Sequence, residues 1–217
     1  MDTLDFHFDY VSPYAYLAWT QMHALAARHG VAVRPIPTLF GALLSANGNV
    51  GPAEIPAKRA YMFRDVWRSA RALGVPFRLP PSHPFNPLLA LRVSALDVPD
   101  AQRRRIVDVV FGAVWGRGEP IDTRAWLVSV LDAGGLAGGA LADAAETDDA
   151  KARLRASTDA ALAAGVFGVP TVRVRETVFW GLDSLPHLER FLRGEDPVPL
   201  DYVVALDALK PSAVRKR

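Results

Sequence analysis

The chain contains no cysteine. That absence removes disulfide bridges, thiolate metal ligands and redox chemistry by the protein's own sulfur. Any thiol chemistry here uses a thiol that arrives with a ligand. Lysine is nearly as scarce: four lysines stand against 21 arginines, and Lys58 is the only lysine before position 151. Nowhere do about 18 apolar residues run together, and the opening MDTLDFHFDY lacks the basic start and unbroken apolar stretch of a secretory signal. A soluble, cytoplasmic protein with no membrane partner is expected. The formal net charge is only +2, and Lys210, Arg215, Lys216 and Arg217 supply four positive charges at the C-terminal end, without which the balance turns slightly negative. Such a distribution reads as a solvated tail, so no nucleic-acid partner is expected. The five histidines (7, 23, 29, 83 and 187) show no H-E-x-x-H or comparable spacing, and no metal is expected.

Half of the 217 residues are apolar, enough for a sizeable core. Between residues 4 and 10, Leu4, Phe6, Phe8 and Tyr10 alternate with Asp5, His7 and Asp9, the period of a strand with one face buried. At Pro13 the period changes to that of a helix: Ala18, Met22 and Leu25 recur along it, Ser12 suits its N-cap, Pro13 its first position and Gly30 its exit. VAVRPIPT (31–38) then reads as a second strand, giving a β-α-β start with a parallel pair. Five stretches with helical spacing follow, at 53–74, 86–96, 99–116, 122–135 and 148–165, separated by Pro or Gly breaks. Strand patterns return in VPTVRV and ETVFWG around a turn at Arg175-Glu176, and SLPHLERFLRG closes the order as a helix burying Leu185, Leu188, Phe191 and Leu192. The expectation is an α/β protein in which residues 1–50 and 165–217 form one unit and 51–164 an inserted all-helical domain.

A strand that hands over to a helix beginning Ser12-Pro13-Tyr14-Ala15 has the layout of a thioredoxin-type site whose C-x-x-C has lost both thiols. Val169-Pro170-Thr171, ahead of the later strands, stands where such folds place a cis-proline facing the first motif. Taken alone, Ser12 is equally well an N-cap and Pro170 a strand-start proline. DFxFDYVSPYAYL (5–17), GNVGP (48–52), KRAYM (58–62), VFGAVWGRG (110–118), GVFGVPT (165–171) and FWGLDSL (179–185), in that order, resemble the 2-hydroxychromene-2-carboxylate isomerases and, more distantly, the kappa-class glutathione transferases. The resemblance implies a thioredoxin-like fold with an inserted helical domain, a homodimer, a small aromatic substrate and glutathione as cofactor.

Carried over by residue, the resemblance makes Ser12 the catalytic serine facing the glutathione sulfur, and Asn49 and Lys58 glutathione contacts. It makes Val169, before Pro170, the residue whose backbone pairs with the cysteinyl segment, and Asp183 and Ser184 the holders of the γ-glutamyl end. Position 184 is often arginine in the family, so one cationic contact is missing here. Singly, Asn49 also reads as a turn residue, Lys58 as a solvated charge and Asp183-Ser184 as a helix cap. Arg64, Trp67, Asn86 and Trp115 are candidates for an aromatic pocket in the helical block, although the helical pattern around the two tryptophans favours core packing. Three outcomes stay open: an isomerase, a kappa-like transferase, and a non-catalytic protein that binds thiols or peptides.

Overall fold

The computed structural model describes residues 2–213. Strand β1 (Thr3–Phe8) leads through α1 (Pro13–His29) to β2 (Ala32–Pro37), which pairs parallel to β1 with Phe6 opposite Pro35. Strands β3 (Thr171–Val174) and β4 (Thr177–Trp180) complete a sheet of order β2-β1-β3-β4, with β3 antiparallel to both neighbours. The β-α-β start and the closing hairpin, with its turn at Arg175 (φ 55°), are as the periodicities predict.

The pattern along β1 holds for one face and not the other. Leu4, Phe6, Phe8 and Tyr10 are fully buried, but His7 and Asp9 towards the strand's end are buried too. The physical reason is that the second face is covered at this end of the strand: the segment after β2 lies over it, with Thr38 against His7 and the Phe40 N–H on Asp9. His7 Nδ1 sits 3.3 Å from the Thr38 hydroxyl on that face. Burial drops the His7 pKa to about 4, so the ring is neutral near pH 7.

Between β2 and β3 the chain is helical: α2 (Phe40–Ala46), α3 (Pro56–Leu73), α4 (Leu88–Ala95), α5 (Asp100–Phe111), α6 (Arg124–Ala133), α7 (Gly138–Ala145) and α8 (Asp148–Ala163). Two of these carry no strong sequence signal. Helix α2 begins at Leu39, whose side chain makes no capping bond, and α7 opens on two glycines; each is held by burial of a few side chains, Leu43 in α2 and Leu141, Ala142 and Ala145 in α7. Helix α5 runs into a π-turn at Gly112–Gly116 that carries the fully buried Trp115. After the sheet come α9 (Leu185–Leu192) and a short α10 (Leu200–Ala208), the latter a helix that the sequence patterns do not mark.

One hydrophobic cluster runs through both parts of the chain. It joins Phe6 of β1, Leu17 of α1 and Val172 of β3 to Leu91 of α4, Val110 of α5 and Leu154 of α8. Aromatic rings form its centre: Phe8 and Phe111 lie 5.6 Å apart, and Tyr10 meets Phe111 edge-on at 4.8 Å. Each such ring contributes roughly 1.5–3 kcal/mol by leaving water, so the sheet and the helices stabilise one another directly.

Candidate active site

Ser12 caps α1 in the expected geometry. It is extended (φ −92°, ψ 112°), its Oγ accepts from the Ala15 N–H over 3.1 Å, and its carbonyl accepts from Tyr16. The cap uses only an acceptor lone pair; the hydroxyl proton has no acceptor among the described residues. No acidic residue occupies the first turn of α1, so the positive end of the helix dipole is left for an incoming anion. Ser12 is itself buried, with 7 % exposure.

The loop before Ser12 is anchored by Asp9. Its carboxylate accepts from the Val11 and Phe40 N–H groups, each at 3.0 Å, and its carbonyl from the Ser12 N–H at 3.0 Å. Asp9 is 2 % exposed and has no cationic partner among the described residues; burial pushes its pKa up to about 6, against the pull of its two backbone donors.

The Val169-Pro170 bond is cis, as expected, and both residues line a cleft of about 870 Å³. The N–H and C=O of Val169 form no hydrogen bond among the described residues. The Pro170 carbonyl accepts from the Gly181 N–H over 2.9 Å, tying this loop to the turn that carries Asp183. Gly181 has φ 93°, and a Cβ there would stand 2.5 Å from Asp183 Oδ1, so glycine is the residue this junction admits. Packing is equally close next door: a Cβ on Gly168 would stand 2.6 Å from Trp180 Nε1.

The cleft runs between α1, α3 and α9. Tyr14 and Gln21 of α1, Tyr61, Asp65 and Ser69 of α3, and Trp180, Gly181 and Asp183 line it together with Val169 and Pro170. Tyr14 donates to Asp65 Oδ2 over 2.8 Å, and burial together with that carboxylate raises the Tyr14 pKa well above its ordinary value. A smaller pocket of about 380 Å³ adjoins, lined by Pro52, Ala57, Lys58 and Met62 and sharing Tyr14 and Tyr61 with the cleft. Lys58 and Asp183 are exposed and enter no ion pair among the described residues.

Of the expected site residues, Val169, Pro170 and Asp183 share the cleft, and Lys58 lines the pocket beside it. Ser12 lies two residues from Tyr14 but does not line the cleft wall itself. Asn49 sits exposed in the turn after α2, its N–H bonded to the Leu44 carbonyl at 2.8 Å, and lines neither pocket. The Ser184 hydroxyl donates back to the Gly181 carbonyl over 2.8 Å and likewise lines neither. Trp115 is core, as its pattern suggests; Trp67 is not, standing half exposed on the outer side of α3 against Phe77. Asn86 spends its side-chain oxygen on the Leu88 N–H, and Arg64 is exposed. Tyr14, Tyr61, Asp65 and Trp180 join the site without any motif that marks them, although Tyr61, Asp65 and Ser69 fall at four-residue intervals, one stripe of α3.

A family model for the DsbA-like thioredoxin domain matches residues 3–193. A 2-hydroxychromene-2-carboxylate isomerase from Pseudomonas putida is 32% identical over 189 residues, covering 86% of this chain and 92% of the relative. The chain belongs to the 2-hydroxychromene-2-carboxylate isomerase family. A solved isomerase structure of that name superposes with a TM-score of 0.82 at 29% identity, covering 95% of this chain and 98% of the other. Glutathione S-transferase kappa 2 of Caenorhabditis elegans is 30% identical, with 86% of this chain and 90% of the transferase covered. The chain thus has the thioredoxin fold expected from the Ser12 and Pro170 motifs, with helices between β2 and β3.

Proposed function

We propose that the protein is a glutathione-dependent isomerase interconverting 2-hydroxychromene-2-carboxylate and trans-o-hydroxybenzylidenepyruvate. The observation that carries the glutathione assignment is a set of groups, unpaired among the described residues, in the cleft and next to it. Val169 offers a backbone donor and acceptor and Asp183 a carboxylate within the cleft, Lys58 an ammonium in the adjoining pocket, while Ser12, just off the cleft wall, retains an uncommitted hydroxyl proton. These match a tripeptide with an extended backbone, an ammonium at one end and carboxylates at both. Glutathione would supply a thiolate able to add to, and leave, a conjugated double bond. The chain's own part is to hold and ionise that thiol. The Ser12 hydroxyl donates to it, and the N-terminus of α1, free of acidic residues, favours its negative form. Tyr14 and Tyr61 then provide aromatic walls beside the tripeptide for a planar substrate.

In this reading residues 1–50 and 165–217 form the thioredoxin-like unit that binds glutathione, and 51–164 the inserted helical domain that completes the pocket. The protein works in solution as a homodimer, in the cytoplasm, within the breakdown of aromatic compounds. A kappa-like transferase is the second reading, favoured by the 30% identity to the nematode transferase; it would release the thiol adduct as product. Incubation with the chromene carboxylate, with and without glutathione, separates them. The isomerase shows an absorbance change requiring glutathione that is not consumed. Stoichiometric loss of free thiol supports the transferase, and no change at any glutathione concentration overturns both.

A further inference from the structure

Two consecutive peptide units lead into Ser12, and each is bonded at both ends. The Tyr10 carbonyl accepts from Trp115 Nε1 over 2.8 Å, while the N–H of the same unit, on Val11, donates to Asp9 Oδ1 over 3.0 Å. The Val11 carbonyl lies 2.8 Å from His83 Nε2, while the N–H of that unit, on Ser12, donates to the Asp9 carbonyl over 3.0 Å. A peptide unit is planar, so anchoring both ends fixes its plane and with it the position of the Cα that follows. The two inner anchors come from Asp9, and the two outer ones come from the helical block.

His83 is the less expected of these donors. Its ring is packed among Phe63 (5.2 Å between centroids), Trp115 (5.5 Å) and Phe85 (5.9 Å), an apolar setting that a phenyl ring would fill equally well. A carbonyl oxygen only accepts, so Nε2 carries the proton and Nδ1 is left as an acceptor. Nδ1 is shut off from solvent and has no partner among the described residues. A buried acceptor without a bond is a standing cost, and the bond to Val11 is what the histidine gives in return. Protonating the ring would bury a charge; desolvation, and the Arg59 guanidinium on α3 as the charged group facing it, hold the pKa below its ordinary value despite the Val11 bond. The ring is therefore a fixed, neutral donor.

We propose that His83, with Trp115, positions Ser12: the helical block reaches across to hold the two carbonyls preceding the serine and so aims its hydroxyl at the bound thiol. The catalytic half of this inference rests on Ser12 being the thiolate's donor. The block then has a role in the chemistry besides shaping the pocket.

His83→Phe keeps the ring volume and removes the donor, and His83→Gln restores an N–H. Amide hydrogen exchange at Ser12, followed by NMR in the full chain, reads the anchoring without reference to catalysis. Exchange should quicken at least about tenfold in the Phe variant while the core amides of β1 stay protected. With glutathione bound, kcat should fall roughly 10- to 100-fold, the scale of a misplacement of about 1 Å, with KM for glutathione nearly unchanged. His83→Gln should recover most of both effects. Unchanged exchange at Ser12 overturns the proposal. So does a kcat loss that the Gln variant leaves uncorrected and that follows global unfolding. If the wild-type protein shows no glutathione-dependent turnover, the functional reading fails instead, and the exchange data alone decide the anchoring.

Discussion

The Tyr14 hydroxyl donates to Asp65 Oδ2 over 2.8 Å, joining the first turn of α1 to the middle of α3 across the cleft. Both residues face the space assigned to ligand, and Tyr14 forms part of the wall between that space and the Lys58 pocket. A hydrogen bond to a charged acceptor contributes roughly 1.5–3 kcal/mol, and partial solvation here places it at the lower end. A double-mutant cycle of Tyr14→Phe and Asp65→Ala, followed by urea denaturation, should give a coupling energy of about 1–1.5 kcal/mol. Additive effects would show that the two side chains are merely neighbours.

Ser12→Ala separates a cap from a catalyst. If the hydroxyl donates to the thiolate, the bound thiol's pKa should rise by about one to two units and turnover near neutral pH should fall roughly 10- to 100-fold. A pure N-cap would instead show about 1 kcal/mol of lost stability and an unmoved thiol pKa. Titrating the thiolate absorbance of the complex, beside a denaturation curve, decides between the two.

Lys58→Ala and Asp183→Asn should each weaken glutathione binding, because they face opposite ends of the tripeptide in the proposed mode. Both side chains are exposed and enter no ion pair among the described residues, so the melting temperature should hardly change. Calorimetric titration gives the affinities. If 2-mercaptoethanol at matched thiolate concentration served the reaction equally well, neither residue would be a recognition contact.

Asp9 and His7 oppose each other in pH. Asp9 binds its proton more tightly folded (about 6) than its ordinary 3.8, so it favours the folded state below pH 3.8 and loses that contribution as pH rises through 6. His7 binds its proton less tightly folded (about 4) than its ordinary 6.5, so its contribution is complete above pH 6.5 and is lost as pH falls through 4. Each span corresponds to about 3 kcal/mol, and between pH 4 and 6 they largely cancel. These two alone would leave stability nearly flat there, and His83, whose proton is also held less tightly in the fold, adds a rise with pH. Asp9→Asn should steepen that rise, and His7→Gln should flatten or reverse it. Urea midpoints across that window test both signs, and slope changes of the same sign in the two variants would refute the assignment.

Local patterns along the chain were enough to set the sheet's strands, the α1 cap at Ser12 and the helical interruption, because each is a short-range consequence of alternation, capping or helix-breaking residues, whereas the cis bond before Pro170 was expected only from the likeness of the two motifs to a thioredoxin-type site. Helices α2 and α7 lay beyond that reach: they are short, poorly capped or glycine-led, and hold their shape through what they pack against. The same limit applies at the site. The sequence named Val169, Lys58 and Asp183, but only the tertiary structure places the first and last in one cleft and the lysine beside it, and it leaves Asn49 and Ser184 outside. Burial of His7 and Asp9 was equally invisible, since an alternating strand looks the same with one face covered or two, and what covers the second face here, Thr38 and Phe40, lies 31 residues further along the chain. The grip of His83 and Trp115 on the two carbonyls before Ser12 spans 72 and 105 residues, a separation at which no local propensity acts and only the fold brings donor to acceptor.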